Sequence, residues 1–292
     1  MKSAPFEYAR AASLGEACAL LARHGEGAKL IAGGQSLVPM MAMRLARPAW
    51  LVDIHEIAAL QLIEIESDRV RTGACTRQRL ALRDARLAAR LPLLGQALAW
   101  VGHAQTRNRG TLGGSLAHAD PAAELPLVAQ VLGARLRLRS EKGARALGAH
   151  EFFTGPMATA LRPDECLEEI EWPVWRERRC GSAFTELSIR HGDFAIVAAA
   201  AQVALGEDGR CVRAAFGLGG AGPVPLAFPG LSKKLVGSAL EEDLIRDAAG
   251  SAAAATQPWN DLHATAEYRR HLAGVLAARA LREARDRALG VR

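Results

Sequence analysis

No run of apolar residues in this 292-residue chain approaches the length of a bilayer span, although half of its residues are hydrophobic. A membrane helix needs about 20 consecutive apolar residues, so none is expected. The opening Met1-Lys2-Ser3-Ala4-Pro5-Phe6-Glu7 has no apolar core of the kind a secretory leader carries, and none is expected. Five cysteines, Cys18, Cys75, Cys166, Cys180 and Cys211, are scattered without a C-x-x-C pair. That scatter argues against an iron–sulfur cluster or structural zinc held by this chain alone, and it suits reduced thiols in a cytoplasmic protein. Also missing are a P-loop, an H-E-x-x-H helix, and any Ser/His/Asp or Cys/His arrangement. Such silence counts against many catalytic chemistries, but little against one in which a cofactor carries the electrons.

The length is enough for two domains, or one with sub-lobes, each with its own core. The net charge is +6, and its cations are mostly arginines crowded into 69–90, 135–145 and 176–179. Three readings are open: solvated helix and strand faces, a docking face for an acidic protein, or nucleic-acid binding. The last is disfavoured because no recognised motif or interleaved aromatic accompanies the charge.

Two glycine-paired segments stand out: Ala32-Gly33-Gly34-Gln35-Ser36-Leu37 and Thr111-Leu112-Gly113-Gly114-Ser115-Leu116. The first follows the strand-like Leu30-Ile31; the second follows the polar Arg107-Asn108-Arg109-Gly110, which reads as a turn. Without a Cβ, glycine lets backbone N–H groups approach a bulky anion and adopts positive φ at little cost. Successive N–H groups in such turns form anion-binding concavities without needing a lysine. Two of them suit the two ends of one pyrophosphate.

Ser13-Leu14-Gly15-Glu16 reads as a capping box opening a helix, with strands at Lys29–Ile31 and Trp50–Ile54 and a short helix at Val38–Leu45. Strands at Gln61–Glu66 and Arg69–Gly73 follow, then a helix capped by Thr76 and running toward Arg90, then Leu93–Val101. Pro121 suits an early position of a helix through Leu132, before strands at Ala134–Arg139 and Cys166–Trp172. The proline-marked stretch from Trp172 to Arg179 reads as a boundary. Beyond it, Ser182–Ile189, Ala195–Leu205 and Arg210–Leu218 read as an antiparallel sheet, with helices over 240–255 and 264–289 packed on it. The expected class is α+β, not a doubly wound parallel sheet.

Gly217-Leu218-Gly219-Gly220-Ala221-Gly222 matches the G-x-G-x-x-G dinucleotide fingerprint. Pro223-Val224-Pro225 follows where that fingerprint needs a helix N-terminus, so the segment reads as a turn ending a strand. His118, Asp120 and Glu124 follow the second glycine segment with too few companions for a metal site. A carboxylate is repelled by a pyrophosphate, so Asp120 and Glu124 are expected to face sugar hydroxyls or to cap the helix at Pro121.

With these segments in hand, the chain resembles the FAD-binding medium subunit of the molybdenum hydroxylases, the xanthine dehydrogenase and aerobic carbon monoxide dehydrogenase family. The resemblance spans the chain. It rests on 32–37, 107–116, Ala119-Asp120-Pro121-Ala122-Ala123-Glu124-Leu125-Pro126, Arg190-His191-Gly192-Asp193-Phe194-Ala195-Ile196-Val197 and Glu267-Tyr268-Arg269-Arg270-His271-Leu272. It implies a two-lobed FAD-binding domain of the vanillyl-alcohol-oxidase type over 1–175 (lobes of about 1–55 and 56–175). A smaller α+β C-terminal domain would cover 176–292. It also implies non-covalent FAD, no catalytic side chain and no metal on this chain. The partners would be a small subunit with [2Fe–2S] clusters and a large molybdopterin subunit, in a dimer of heterotrimers without nucleic acid or membrane span. The flavin would take electrons from the clusters and pass them to an external acceptor. The cofactor contacts carried over are Ile31, Ala32, Gly33, Gly34, Gln35, Ser36, Leu37, Val101, Thr111, Gly113, Gly114, Ser115, His118, Asp120, Glu124, Leu167, Thr185, Asp193 and Phe194.

Two positions depart from the family pattern. Glu124 stands where an aspartate is usual, and Thr185 where many relatives carry a lysine, which would remove a positive charge near the flavin. The short run from Glu124 to Leu138 also leaves no room for the cluster loop some relatives insert. Two other readings compete: a stand-alone FAD oxidase, for which the segment after Trp175 is small, and an assembly scaffold that has lost flavin, against which the intact glycine segments argue.

Overall fold

The computed structural model describes residues 2–291. The first lobe is a βα unit: β1 (Glu7–Arg10), α1 (Leu14–His24), β2 (Ala28–Ile31), α2 (Leu37–Ala42) and β3 (Trp50–Asp53). Its sheet is parallel, in the order β1-β3-β2. The capping box forms as read. Ser13 Oγ accepts from the Glu16 N–H at 3.1 Å, and the Glu16 carboxylate accepts from the Ala12 N–H at 2.7 Å.

The second lobe runs β4 (Ile63–Ile65), β5 (Arg69–Gly73), α3 (Gln78–Arg83), α4 (Ala85–Arg90), α5 (Pro92–Trp100), α6 (Ala104–Arg109), α7 (Leu112–His118) and α8 (Glu124–Leu132). It continues with β6 (Arg135–Ser140), β7 (Gly143–Gly148), α9 (Ala149–Phe152), β8 (Phe153–Gly155), β9 (Ala158–Thr159) and β10 (Cys166–Pro173). The antiparallel sheet has the order β4-β5-β10-β6-β7. Trp172 on β10 is fully buried, and its indole N–H donates to Thr72 Oγ1 at 2.9 Å. A buried Trp with that donor satisfied pins the centre of the sheet. Nearly every residue of α8 is buried. Each fully buried Leu or Val there contributes about 1.5–3 kcal/mol.

Several local expectations are corrected. Thr76 does not cap a helix: its hydroxyl donates to the Leu62 carbonyl, and the expected single helix is broken at Asp84, whose carboxylate caps α4 through the Arg86 and Leu87 N–H groups. Pro121 precedes α8 and lies outside it, because Asp120 Oδ1 accepts from the Ala122 N–H at 2.9 Å and closes a turn that holds Pro121. The polar stretch 107–110 is the end of α6 and its cap. The strand β7 escaped the sequence reading because Gly143-Ala144-Arg145-Ala146-Leu147-Gly148 has almost no β-branched or aromatic residue.

The C-terminal part is built from β11 (Arg179–Leu187), β12 (Val197–Leu205), β13 (Cys211–Gly219), β14 (Leu226–Ala227), α10 (Pro229–Leu235), α11 (Glu242–Ala254) and α12 (Ala266–Leu289). The strands form one antiparallel sheet in sequence order. One face carries Ala183, Ala199 and Ala201 and packs under α12, on which α11 rests; the other carries Phe184, Ala198 and Ala200 and joins the core of the second lobe. Gly217-Leu218-Gly219 lies in β13 and Gly220 turns away with φ +70°, so the apparent fingerprint is the end of a strand, as read.

Cys18, Cys75 and Cys166 fall in one small apolar cluster between the two lobes, with Val52, Ile54 and Leu60. All five cysteines are free thiols. No helix among the described residues is long and apolar enough to cross a membrane.

Several arginines of the basic segments are paired within the chain. Arg69, Arg71, Arg137 and Arg139 meet Glu64, Glu66, Glu168, Glu169 and Glu171 on the second-lobe sheet, and Arg145 meets Glu165. The solvated-face reading of those charges is the one the geometry favours.

Candidate functional site

The first glycine segment leaves β2 and the second opens α7 just after α6, and the fold sets Gly33 against Arg109 and Gly110. A Cβ on Gly33 would lie 2.4 Å from the Arg109 carbonyl oxygen and 2.9 Å from Gly110 Cα, so only glycine permits the contact. Gly34 has φ +72°, in the left-handed region. Here the chain turns from β2 into α2, and Val38 N–H closes onto the Gly34 carbonyl at 3.0 Å. Gln35 Nε2 donates to the Gly33 carbonyl at 3.2 Å, stiffening the turn. Among the described residues, the N–H groups of Gly33, Gly34, Gln35 and Ser36 have no backbone or side-chain acceptor. A run of unspent donors in a left-handed turn is an anion cradle.

The second segment behaves differently. Thr111 caps α7, its hydroxyl accepting from the Gly114 N–H at 3.0 Å. Leu112 and Gly113 donate to the Thr76 and Ala74 carbonyls, and Ser115 donates to the Thr111 carbonyl. Its N–H groups are therefore spent within the protein. Gly113 is there because a Cβ would sit 2.5 Å from that of Ala74. The expectation of two equivalent N–H cradles is corrected: the first segment supplies the donors, and the second supplies a close-packed wall with exposed Gly114 and half-buried Ser115.

A surface cleft of about 370 Å³ opens at the first segment, lined by Ile31, Gly33, Gly34, Gln35, Val38, Pro39 and, from the end of α6, Arg109. Val38, Pro39 and Arg109 were not among the expected contacts. The signal for Arg109 was its place directly before the second glycine segment, where a cation balances an anion held by the first. A second, larger opening of about 420 Å³ lies between α11 and α12, away from both glycine segments. Two of its arginines, Arg246 and Arg282, are already paired with Glu242.

The remaining expected contacts divide. Val101 and Leu167 are buried in the main core. The backbone carbonyls of Val101 and Gly102 each accept from Arg107 Nη1 at 2.8 Å. Asp120 closes the turn before α8, and half-buried His118 ends α7. Asp193 and the exposed Phe194 lie on the loop between β11 and β12, which leans on the Trp100–His103 strap. There His191 stacks on Trp100 with centroids 5.4 Å apart, and Gly192 meets His103. Behind that loop, buried Arg269 on α12 bonds the Ile196 and Gly220 carbonyls and Asp261.

Thr185 is not brought to the cleft. Strand alternation turns it toward α12, where its hydroxyl donates to the Leu276 carbonyl at 3.4 Å. Its neighbour Glu186 faces the second lobe instead. Glu124, the first residue of α8, is 4% exposed. Burial pushes its carboxyl up to about 7, with Asp120 adding to the rise and Arg107 opposing it.

Comparison with known families settles the affiliation. Residues 4–175 match the FAD binding domain in molybdopterin dehydrogenase, and residues 182–284 match the CO dehydrogenase flavoprotein C-terminal domain. The chain belongs to this molybdopterin dehydrogenase flavoprotein family. It is 38% identical over 288 residues to the 6-hydroxypseudooxynicotine dehydrogenase complex subunit alpha of Paenarthrobacter nicotinovorans, covering 99% of this chain and 97% of that one. It is 39% identical over 283 residues to the carbon monoxide dehydrogenase medium chain of Afipia carboxidovorans, covering 97% and 98%. Among solved structures, carbon monoxide dehydrogenase from Hydrogenophaga pseudoflava superposes with a TM-score of 0.95 at 35% identity, over 98% of this chain and 99% of that one. As an FAD-binding fold of this family, the chain needs a cradle for a pyrophosphate. The unspent donors of 33–36, with Arg109 alongside, fit that group.

Proposed function

We propose that this chain is the FAD-carrying electron-transfer subunit of a molybdenum hydroxylase complex. The observation that carries this reading is the match of both halves, in order, to medium subunits over nearly their whole length. FAD, when bound, accepts and releases the electrons. The chain's own residues hold and shield it. The Gly33–Ser36 N–H groups would take the pyrophosphate, with Arg109 as countercharge and Thr111, Gly114 and Ser115 as the facing wall. Glu124 and Asp120 would supply the acidic contacts, and Asp193 and Phe194 would border the cofactor. No titrating side chain of this chain is assigned a bond-making role.

The division at 175/176 follows the two matched segments and the two separate antiparallel sheets. The electrons would come from a small [2Fe–2S] subunit, with a large molybdopterin subunit binding substrate, in a dimer of heterotrimers. Five unpaired thiols support a cytoplasmic setting.

The test is the absorption spectrum of the purified chain before and after heat precipitation. A flavin spectrum released to the supernatant as FAD, and iron and molybdenum copurifying with the tagged chain from its native host, are the expected results. A colourless chain that cannot be reconstituted with FAD overturns the proposal and favours the scaffold reading. Flavin without either metal favours the stand-alone oxidase.

A further inference from the structure

The seam between the second lobe and the C-terminal sheet is largely apolar, with Ser182 and Gln202 toward one end, where Gln96 donates to the Ser182 carbonyl at 3.1 Å, and Glu186 toward the other. On β11, Glu186 lies in register with Ala198 and, through it, with Gly219 of β13. Ala198 and Gly219 leave the face beside Glu186 low. α8 fills that depression, with Leu127 and the Pro121 carbonyl each within 3.5 Å of where a Gly219 Cβ would be. Glu124 is one turn before Leu127 on α8, so acids from two domains lie along the same helix–sheet contact. Both are buried, at 4% and 8% exposure. Neither oxygen of Glu186 has a hydrogen-bond partner among the described residues.

The charged groups acting here are few. Asp120 and Arg107 act on Glu124, and Arg107 already donates to two backbone carbonyls; Glu124 alone acts on Glu186. Two buried carboxylates with so little compensation cannot both stay ionised at neutral pH. We propose that Glu124 and Glu186 are coupled through space across the domain seam, without a mutual hydrogen bond, so that the pair keeps one proton at neutral pH and Glu186 is a positioning residue that sets the charge Glu124 presents to the cofactor. Burial raises both groups, Glu124 to about 7 and Glu186 to about 8, with the Glu124 charge as the second cause for Glu186. The pair titrates as a unit, not as two independent acids.

This inference rests on the reading of Glu124 as a cofactor contact. A second negative charge arriving beside the dianionic pyrophosphate of FAD weakens binding, so affinity falls as pH rises through the pair's range. One linked proton changes Kd by at most about tenfold per pH unit. The experiment is FAD binding to the flavin-stripped full chain, followed by flavin fluorescence from about pH 6 to about 9. It is run on wild type and on Glu186→Gln, whose amide keeps the shape but carries no charge. The expected result is a falling step in wild type, displaced by about a pH unit or more toward acid in Glu186→Gln.

Superimposable profiles, or a flat wild-type profile despite FAD binding, overturn the inference. Infrared titration of the unsubstituted, flavin-free chain is independent of both the variant and the cofactor. It should show a protonated-carboxyl band persisting at neutral pH and disappearing at alkaline pH. Absence of that band at neutral pH also overturns the retained proton. A chain that binds no FAD but keeps the band refutes the cofactor-contact reading, and with it the positioning role, while leaving the acid pair intact.

Discussion

Gly33 is where a single methyl group would do most damage to the site. Its Cβ would collide with the backbone of Arg109 and Gly110, which no rotamer change relieves. Gly33→Ala should therefore lose FAD and cost about 1–3 kcal/mol in urea unfolding, as overpacking of a tight contact does. Retention of full flavin stoichiometry would sink this account of the cradle. Arg269 is the second sensitive position. It is 3% exposed, holds two carbonyls and Asp261, and lies over the Trp259 ring at 5.1 Å. Arg269→Met should cost about 3 kcal/mol in guanidinium unfolding, because the carbonyls lose a charged donor they cannot replace. The residue types at 33–36 were legible because unspent N–H groups need glycine. Thr185, carried over by its position in the resemblance, turns toward α12 instead, and the sequence offers no check on this because Ala183-Phe184-Thr185-Glu186 is buried on both faces.

Between elements, the closest approach is that of β11 to α12. A Cβ on Gly181 would sit 2.0 Å from the Ala284 carbonyl oxygen and 2.5 Å from the Ala288 nitrogen. Ala273, Ala277, Ala280, Ala284 and Ala288 form the buried stripe that permits this approach. Gly181→Ala should lower the melting temperature by several degrees, since about 1 kcal/mol corresponds to about 2–4 °C in a chain of this size, and should leave flavin affinity nearly unchanged. Differential scanning calorimetry with flavin titration separates those outcomes. The C-terminal strands and α12 were legible from long apolar runs with a turn between each. The α3–α4 break and α6 were not, because Asp84 looks like any polar helix residue and Ala104–Arg109 has no apolar period. Both depend on contacts from elsewhere in the chain: α3 and α6 pack on one another, and Gln78 N–H bonds the Gly110 carbonyl.

For the molecule as a whole, stability should peak in mildly acidic solution. Glu124 and Glu186 have raised folded values, so their contribution is complete below their ordinary value near 4.5 and is lost as pH rises to about 7 and 8. Asp84 and Glu242, hydrogen-bonded by Arg86 and Arg282, are held down to about 2, so what they add is present above their ordinary range and disappears as pH falls toward 2. Urea midpoints across pH should therefore fall on the alkaline side, and Glu186→Gln should flatten that limb; an unchanged limb contradicts the assignment. The arginines of the second-lobe sheet are matched to glutamates, so the net charge of +6 is carried elsewhere on the molecule and little unmatched cation is left on that sheet for a nucleic acid. The thiol cluster between the lobes has a different consequence. Burial raises all three of its thiols, Cys75 to about 12, so thiolate forms there only when the lobes part. The cradle of 33–36 springs from one of those lobes and Arg109 from the other. Alkylation of Cys18, Cys75 and Cys166 is thus a clock for breathing at the cofactor's own hinge line, and a bound flavin that staples the lobes together would slow it.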